Sequence, residues 1–303
     1  MPYPLAVRDL PASARKVIQQ GSTFYVIGDE RARLRDAYHI FLQLRWSASL
    51  ALIAVAFFLV NLVFAALYYA VGGVSASDGS FFHALSFSVE TLATVGYGEM
   101  HPTTTASHVI MMFESIVSLI STALVTGVVF TKFSRPTTRV AFSQCAVVTQ
   151  HEGNRTLMFR TSNRRGNVIV EAKIHVVAVL TTTTIEGKIF YKAVDLPLVR
   201  DRQVGMTRGW TLMHVIDSAS PLHGADPARL KQLEMELYIA LTGIDDVSMQ
   251  TVHATHRYAD DQIRIDHHFE DTVIPLDNGE FVVDMTKFDV VVPDQATHDS
   301  VRP

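Results

Sequence analysis

The sequence predicts a membrane-embedded helical part followed by an all-β domain, and three features of its 303 residues indicate this. Residues 46–70 form an apolar stretch without a charged side chain, and residues 105–133 form a second one interrupted by Glu114. From Pro136 onward the pattern changes to period-two alternation rich in β-branched residues, which is typical of strands. A hydrophobic content of 48% agrees with a membrane protein that carries a soluble part.

The N-terminal segment, residues 1–45, is expected to lie in the cytoplasm. Residues 1–28 contain Pro2, Pro4, Pro11 and Gly21 without a clear period, so we expect a mostly irregular arm and no signal peptide. Residues 29–44 are amphipathic and basic, which predicts a slide helix over about 30–44 along the membrane interface. An ordinary surface helix packed on the soluble domain is the alternative.

Two helices are predicted to cross the membrane, within a pore domain of residues 46–135. Residues 46–70 would measure about 37 Å as a helix, enough to span a bilayer with some tilt. Trp46 and the pair Tyr68-Tyr69 would anchor the two ends at the interfaces. The second helix covers residues 105–133, and because a carboxylate is costly in lipid, Glu114 should face protein or water.

Basic residues indicate the orientation. Seven Lys or Arg residues precede Trp46, none occurs over residues 46–131, and Lys132, Arg135 and Arg139 then follow. By the positive-inside rule both termini should be cytoplasmic in a multi-pass protein of the cell membrane.

Between the two helices lies the segment that predicts function. Residues 81–93 form an apolar helix too short to cross a bilayer, which fits a re-entrant pore helix. Thr94-Val95-Gly96-Tyr97-Gly98 follows, and glycines that accept positive φ allow successive carbonyls to point the same way. Such a row of oxygens can replace the water around K⁺ if several copies form a ring, so the unit would be a tetramer. A plain glycine turn is the alternative.

Residues 136–303 are expected to form an antiparallel β-sandwich. Asp277-Asn278-Gly279 predicts a hairpin turn, and Asp226 followed by Pro227 predicts the start of a short helix. The predicted strands are residues 141–149, 168–181, 210–216, 237–242 and 281–285.

Several classes of function are excluded by composition and motif. A net charge of −4 is too mild for a nucleic-acid partner, and the single cysteine, Cys145, allows no intrachain disulfide. The 13 histidines include His267-His268, which would lie on opposite faces of a strand and so could not bind one metal ion together. The sequence has no P-loop, GxSxG or strand-associated GxGxxG motif, so we expect no enzyme.

Four motifs together resemble the prokaryotic inward-rectifier potassium channels of the KirBac type, over about residues 30–290. The motifs are LATVGYGEMHP (92–102), KFSRPTTR (132–139), VIVEAKIHV (168–176) and MHVIDSASPLHG (213–224). The resemblance implies a homotetramer, a cytoplasmic immunoglobulin-like β-sandwich, K⁺ as the permeant ion and no organic cofactor.

The resemblance also implies roles for single residues. Thr94 to Gly98 would form the selectivity filter, with K⁺ bound at Thr94, Val95, Gly96 and Tyr97. Phe130 would form the gate at the crossing of the inner helices, and Leu119 a second constriction; plain helix packing is the alternative for both. Anionic lipid would bind Arg45, Lys132, Arg135 and Arg139 at the cytoplasmic interface; setting the orientation alone is the alternative for these charges.

Other positions concern block and gating. Thr122 would face the cavity where strongly rectifying relatives carry an acid, and Glu171 would be an acid of the cytoplasmic pore that could hold polyamine or Mg²⁺ blockers. Ser118 stands where the superfamily often has a hinge glycine, and Gly127 is retained. Met100 replaces an arginine that pairs with the equivalent of Glu90 in animal relatives. We therefore expect Glu90 to find hydroxyl or backbone donors, or to be protonated.

One alternative from another class remains at this point. The chain could be a non-conducting, membrane-anchored β-sandwich that binds a partner or senses a ligand. Such a protein would need one span and no re-entrant loop.

Overall fold

The computed structural model describes residues 10–11, 14–19, 22–28, 37–134 and 139–294. The chain divides into two compact units. The helical unit comprises Asp29–Arg135, and the β unit comprises Met1–Gly28 together with Pro136–Pro303.

The helical unit contains four helices: α1 (Ala37–Gln43), α2 (Trp46–Val71), α3 (Phe81–Leu92) and α4 (Thr105–Phe133). Helices α2 and α4 are long and apolar enough to cross a membrane, as expected from the sequence. The bounds of α2 to α4 differ from the predicted helices by at most one residue. The predicted slide helix begins before α1, and residues 29–36 lie outside the described residues.

Short polar contacts hold the ends of these helices. The Ser80 side chain caps α3 by accepting from the His83 amide, and Thr104 and Ser107 form a reciprocal capping box at α4. The Ser107 hydroxyl also donates to the Gly73 carbonyl, at 2.8 Å. Gly73 has φ +78°, and a Cβ there would lie 2.4 Å from the Thr104 hydroxyl, so only glycine fits at this close approach.

The β unit begins with a hairpin that corrects a prediction. Strands β1 (Arg15–Gln19) and β2 (Ser22–Val26) pair antiparallel, so residues 15–26 are not part of an irregular arm. The sequence STFYV of β2 is rich in residues that favour strands, and five residues are too few to give a clear period. Pro2 and Pro4 lie outside the described residues.

Two five-stranded sheets form the sandwich. The first has the order β11 (Thr251–Tyr258), β10 (Glu236–Asp245), β6 (Ile169–Thr183), β7 (Ile189–Asp195), with β8 (Arg202–Met206) also paired to β6. The second has the order β12 (Ile263–Ile265), β4 (Ala146–His151), β5 (Asn154–Asn163), β3 (Val140–Phe142), with β9 (Gly209–Val215) paired to β5. Two further ladders join β13 (His267–Phe269) to β16 (Val291–Pro293) and β14 (Val273–Pro275) to β15 (Phe281–Val283).

The core of the β unit follows from the alternation of its strands. Along β6 every second side chain is buried against the core, which contains Ala172, Ile174, Val176, Ala178 and Leu180. The pair β12–β4 is parallel, so the expectation of a wholly antiparallel sandwich was wrong at that edge. The predicted hairpin turn joins β14 to β15, with Gly279 at φ +84°.

Two observed strands differ from the predicted ones in their bounds. The predicted strand 141–149 is divided into β3 and β4 at Ser143, whose hydroxyl donates to the Cys145 carbonyl and accepts from the Arg160 amide. The predicted strand 281–285 stops at Val283, and a 3₁₀ turn, Met285–Lys287, follows. Helix α5 (Pro227–Gln232) is capped as expected, because the Asp226 carboxylate accepts from the Arg229 amide at 2.7 Å.

Candidate functional site

The segment Thr94 to Gly98 leaves α3 in an unusual backbone conformation. Thr94, Gly96 and Gly98 have φ of +56°, +53° and +88°. Val95 and Tyr97, which lie between them, do not have positive φ. This alternation turns successive peptide planes so that their carbonyls can point to one side. The conformation is strained for Thr94, which is not a glycine, and such strain is found where function requires it.

Main-chain hydrogen bonds fix this segment to the end of α3. The Val95 and Gly96 amides both donate to the Glu90 carbonyl, at 2.9 and 3.4 Å. The Thr94 amide donates to the Thr91 carbonyl at 3.1 Å. The last turn of α3 therefore determines where the segment starts and how its first peptide planes are turned.

The side chains of the segment make few contacts within one chain. Tyr97 is 79% exposed, and a Cβ added at Gly96 or Gly98 would have no atom within 4 Å. Glycine is therefore required at these two positions by backbone conformation and not by packing. The exposed Tyr97 leaves a surface that further copies of the chain can cover.

The outer continuation of the segment is tied to the loop after α2. The Ser75 hydroxyl lies 3.1 Å from the Glu99 carbonyl and 2.7 Å from His101 Nδ1. The Thr103 amide donates to the Gly73 carbonyl at 2.7 Å. Thr94–Gly98 is thus held at its start by the end of α3 and beyond its end by the loop that follows α2.

A buried polar cluster lies behind α3 and joins three helices. The Glu114 carboxylate accepts from the Tyr68 hydroxyl at 2.7 Å and from the Ser88 hydroxyl at 2.6 Å. Ser88 Oγ also lies 3.0 Å from Asn61 Oδ1, and the Asn61 amide donates to the Phe57 carbonyl. Glu114 faces protein, as expected.

The cluster corrects the role predicted for Tyr68. Its side chain is only 1% exposed and packs edge-on against Phe87, with ring centroids 4.9 Å apart, so it is not an interfacial anchor. Its neighbour Tyr69 is exposed. Besides Glu114, the sequence carried a second signal for this cluster in Asn61, a polar residue within the first apolar span.

Glu90 does not acquire the donors expected for it within one chain. Its side chain is half-buried, and no described residue donates a hydrogen bond to its carboxylate. Its main-chain carbonyl, in contrast, accepts the two amides described above. Met100, where relatives carry the paired arginine, packs instead with the apolar cluster around Tyr68.

The residues predicted to line the conduction path share one side of α4. With 3.6 residues per turn, Leu119, Thr122 and Phe130 fall within about 80° of one another around the helix. All three side chains are exposed on the single chain. By the same count the buried side chains of Ser118 and Glu114 lie about 80° and 120° from the middle of this stripe, and they bond to α3 and α2. The predicted stripe is therefore largely exposed on the single chain.

The cations predicted to bind lipid have different environments. Lys132 is 7% exposed, and its ammonium donates to the carbonyls of Leu44 (2.6 Å), Phe41 (3.2 Å) and Leu42 (3.4 Å) at the end of α1. It also lies over the ring of Trp46, 5.6 Å from the centroid. Its charge is therefore used inside the helical unit, where it caps the C-terminus of α1.

The three arginines differ from Lys132. Arg45 is exposed at the N-cap of α2, and Arg139 is exposed at the start of the β unit. Arg135 lies outside the described residues.

Glu171 occupies a β-bulge in β6. It has φ +50°, and the register with β10 shifts between Ile244↔Val170 and Thr242↔Lys173, where two residues of β6, Glu171 and Ala172, face one residue of β10. Its carboxylate is exposed, on the side of β6 that faces away from the core.

Histidines in the described part of the chain contact separate neighbours, as the adjacent pair His267 and His268 shows. His268 Nδ1 lies 2.7 Å from Asp294, and His267 Nδ1 lies 2.7 Å from the Ile265 carbonyl. Across the described part of the chain, no group of three or more His, Cys, Asp or Glu side chains is arranged to hold a metal ion.

Comparison with known proteins gives consistent results for both units. Residues 140–302 match the family model of the inward rectifier potassium channel C-terminal domain, and residues 56–135 match an ion channel family model. The inward rectifier potassium channel Kirbac3.1 of Paramagnetospirillum magnetotacticum is 35% identical over 262 residues, which cover 86% of this chain and 89% of that protein.

Animal relatives match over nearly the whole chain. The G protein-activated inward rectifier potassium channel 1 of Homo sapiens is 28% identical over 312 residues, covering 93% of this chain and 60% of that protein. The inward rectifier potassium channel irk-1 of Caenorhabditis elegans is 27% identical, covering 87% of this chain and 53% of that protein. The chain therefore spans little more than half the length of these animal proteins.

Proposed function

Because this chain belongs to the inward-rectifier potassium channel family, and is thus a potassium channel and not an enzyme, we propose how its residues conduct and regulate K⁺. Four copies assemble around an axis, and their Thr94–Gly98 segments form the selectivity filter. K⁺ binds between the rings of oxygens from Thr94, Val95, Gly96 and Tyr97. It is the permeant ion, and no organic cofactor takes part.

The backbone of Thr94–Gly98 is the single observation that carries this assignment. Left-handed φ values at Thr94, Gly96 and Gly98 alternate with the two remaining residues, so the carbonyls can line one side. Dehydrating K⁺ requires many oxygens at fixed positions. The hydrogen bonds from the Val95 and Gly96 amides to the Glu90 carbonyl hold the start of the segment in place. One chain supplies one wall of such a ring.

The gate in this proposal is the exposed stripe of α4. Phe130 forms the narrow ring at the cytoplasmic end and Leu119 a second ring, and both close the path by excluding water. Thr122 faces the cavity between them and carries no charge, so the cavity attracts polyamine or Mg²⁺ only weakly. Glu171 is the acid that can hold such blockers in the cytoplasmic part of the path.

Anionic phospholipid regulates the gate in this proposal. Both termini face the cytoplasm, so Arg45, Arg135 and Arg139 lie at the inner leaflet, where each contributes about 1 kcal/mol toward binding anionic head groups. Lys132 acts differently from the sequence-based expectation, because its ammonium already caps α1. It therefore joins the slide helix to the gate-bearing helix α4.

The experiment that tests the proposal is cation flux into liposomes that contain the purified protein. We expect K⁺ flux well above Na⁺ flux, carried by tetramers. Equal flux of both ions, or no flux in any lipid mixture, would overturn the filter assignment. The second outcome would also favour the membrane-anchored sensor considered as the alternative.

A further inference from the structure

At the end of the pore helix α3, the last main-chain carbonyls accept hydrogen bonds from different parts of the chain. The last carbonyls of a helix have no partner within the helix and must find donors elsewhere. Here the Glu90 and Thr91 carbonyls accept amides from Thr94, Val95 and Gly96, in the proposed filter. The Val89 carbonyl accepts the Ala93 amide at 2.9 Å, which leaves the Leu92 carbonyl without a donor from this segment.

The Leu92 carbonyl receives its donor from another helix. The Ser118 hydroxyl of α4 donates to it at 2.7 Å, in a site where Ser118 is 2% exposed. No other described residue donates to this carbonyl. Serine in a helix commonly donates to a carbonyl of its own preceding turn, as Ser115 does to Met111 at 2.8 Å. Ser118 instead makes a bond between helices.

A second bond lies one turn away and runs parallel to the first. Ser88 precedes Leu92 by four residues on α3, and Glu114 precedes Ser118 by four residues on α4. Residues four apart lie above one another on a helix, so the two bonds form adjacent rungs between the same faces. Both rungs are buried from water, which strengthens them and makes an unpaired partner costly.

We propose that Ser118 is a positioning residue for ion selectivity, because its hydroxyl holds the Leu92 carbonyl directly ahead of the filter. This inference rests on the proposed function of Thr94–Gly98. Without the hydroxyl, the buried Leu92 carbonyl lacks a donor and competes with Glu90 for the Val95 and Gly96 amides. A change of acceptor would rotate the first peptide planes of the filter away from the path.

A glycine at position 118 could not take this role. The channel superfamily often has a hinge glycine here, which has no hydroxyl and could not make the bond. Where a glycine would make α4 flexible, Ser118 instead attaches α4 to α3. Movement of α4 at this level is then transmitted to the filter through Leu92.

The test compares the full-length tetramer with Ser118→Ala, using Ser115→Ala as the matched control. Both changes remove one hydroxyl from α4, but only Ser118→Ala removes a bond to α3. In liposome flux measurements we expect Ser118→Ala to lower the ratio of K⁺ to Na⁺ flux about threefold to tenfold, the range expected for one hydrogen bond. Ser115→Ala should keep the wild-type ratio.

A second readout separates a filter role from a general structural role. Thermal stability of the detergent-solubilised tetramer is measured in K⁺ and in Na⁺, and the difference reports ion binding in the filter. Ser118→Ala should reduce this difference, and Ser118→Thr, which retains a hydroxyl, should largely restore it. A variant that lowers stability equally in both ions would point to a structural role and overturn the proposal.

The remaining outcomes are also decisive. Unchanged selectivity in assembled Ser118→Ala, while the wild type is selective, would overturn the role of Ser118 and leave the filter assignment intact. A wild type without K⁺ selectivity would instead contradict the proposed function itself. If Ser118→Ala does not assemble, Ser118→Gly removes the same hydroxyl. Failure of both variants to assemble beside a normal Ser115→Ala would show that Ser118 serves the fold alone.

Discussion

The helical unit and the β unit differ most in where their large apolar side chains lie. In the β unit the core between the sheets is apolar, as along β6, although Arg160 and Asp245 are also buried. In the helical unit large apolar side chains are exposed along α2 and α4, whereas the buried polar ones among the described residues are Ser49, Asn61, Ser88, Ser107, Glu114, Ser118 and Lys132. An exposed apolar surface of this extent needs lipid or further copies of the chain to cover it.

The difference indicates what each unit needs in order to be stable. The β unit has a continuous apolar core between its sheets, and one chain supplies all the side chains of that core. The helical unit is held internally by a few hydrogen bonds, because apolar packing offers little advantage over contact with lipid. Substitutions at its buried polar groups should therefore have larger effects than substitutions at exposed polar groups of the β unit.

The largest effect is expected from Gly98→Ala, which tests whether the helical unit depends on backbone conformation. Alanine at φ +88° costs about 1–2 kcal/mol in each of four copies. Selective K⁺ flux into liposomes should fall to near the Na⁺ level or vanish. Gly166→Ala in the β unit, where φ is not positive and an added Cβ meets no atom within 4 Å, is the matched control and should conduct normally. Unchanged selectivity in an assembled Gly98→Ala tetramer would remove the filter assignment.

Glu114→Ala should have the next largest effect. It leaves the buried Tyr68 hydroxyl without its acceptor, at about 1–3 kcal/mol for the unsatisfied group, and leaves the Ser88 hydroxyl with Asn61 Oδ1 as its remaining acceptor. The melting temperature of the solubilised tetramer should fall by several degrees or more. Glu186→Ala, at an exposed turn of the β unit, should leave it unchanged. Equal melting temperatures for the two variants would contradict the contrast between the units.

The segment between the units gives a smaller expected effect. Neutralising Arg135 and Arg139 together should weaken the dependence of flux on anionic lipid, by about tenfold or more in apparent lipid affinity for two charges. The resemblance to the prokaryotic inward rectifiers leads us to expect inhibition by phosphoinositide, and K⁺ selectivity should remain intact. Flux is measured in liposomes of graded anionic lipid content. A correctly inserted double variant with the full lipid response would show that these charges serve orientation only.

The smallest effect concerns pH and the β unit. His256 stacks on Phe142, with ring centroids 5.1 Å apart, and its buried Nε2 has no hydrogen-bond partner among the described residues. Burial therefore lowers the pKa of its imidazole. The folded unit then binds fewer protons than the unfolded chain. Its stability is complete above the ordinary histidine pKa of about 6.5 and decreases as pH falls from there toward the lowered folded-state pKa.

His256→Phe should therefore flatten this part of the stability profile. The fluorescence of Trp210, buried in the β unit, reports unfolding if Trp46 is replaced by Phe in both proteins. A stability profile between pH 4 and 6.5 that is equally steep with and without His256 would show that another group titrates there.

Several features could be predicted because they depend on residues close together in the chain. The two spans follow from uninterrupted apolar stretches, α3 from its length and position, and the Thr94–Gly98 conformation from its glycines. The β unit follows from period-two alternation, and α5 from Asp226 followed by Pro227. Each of these signals is local, so it survives without knowledge of the remaining chain.

Other features were decided only by contacts between distant residues. By sequence alone, Tyr68 stands near the end of one apolar span and Lys132 near the end of the other. The sequence therefore predicted that both side chains lie at a membrane interface. The tertiary structure brings Tyr68 to Glu114, 46 residues away, and Lys132 to Leu44, 88 residues away. It likewise pairs β12 with β4 in parallel and brings Ser118 to Leu92. Hydropathy and periodicity report which side of an element is buried, but the partner of a buried polar group depends on how the elements pack.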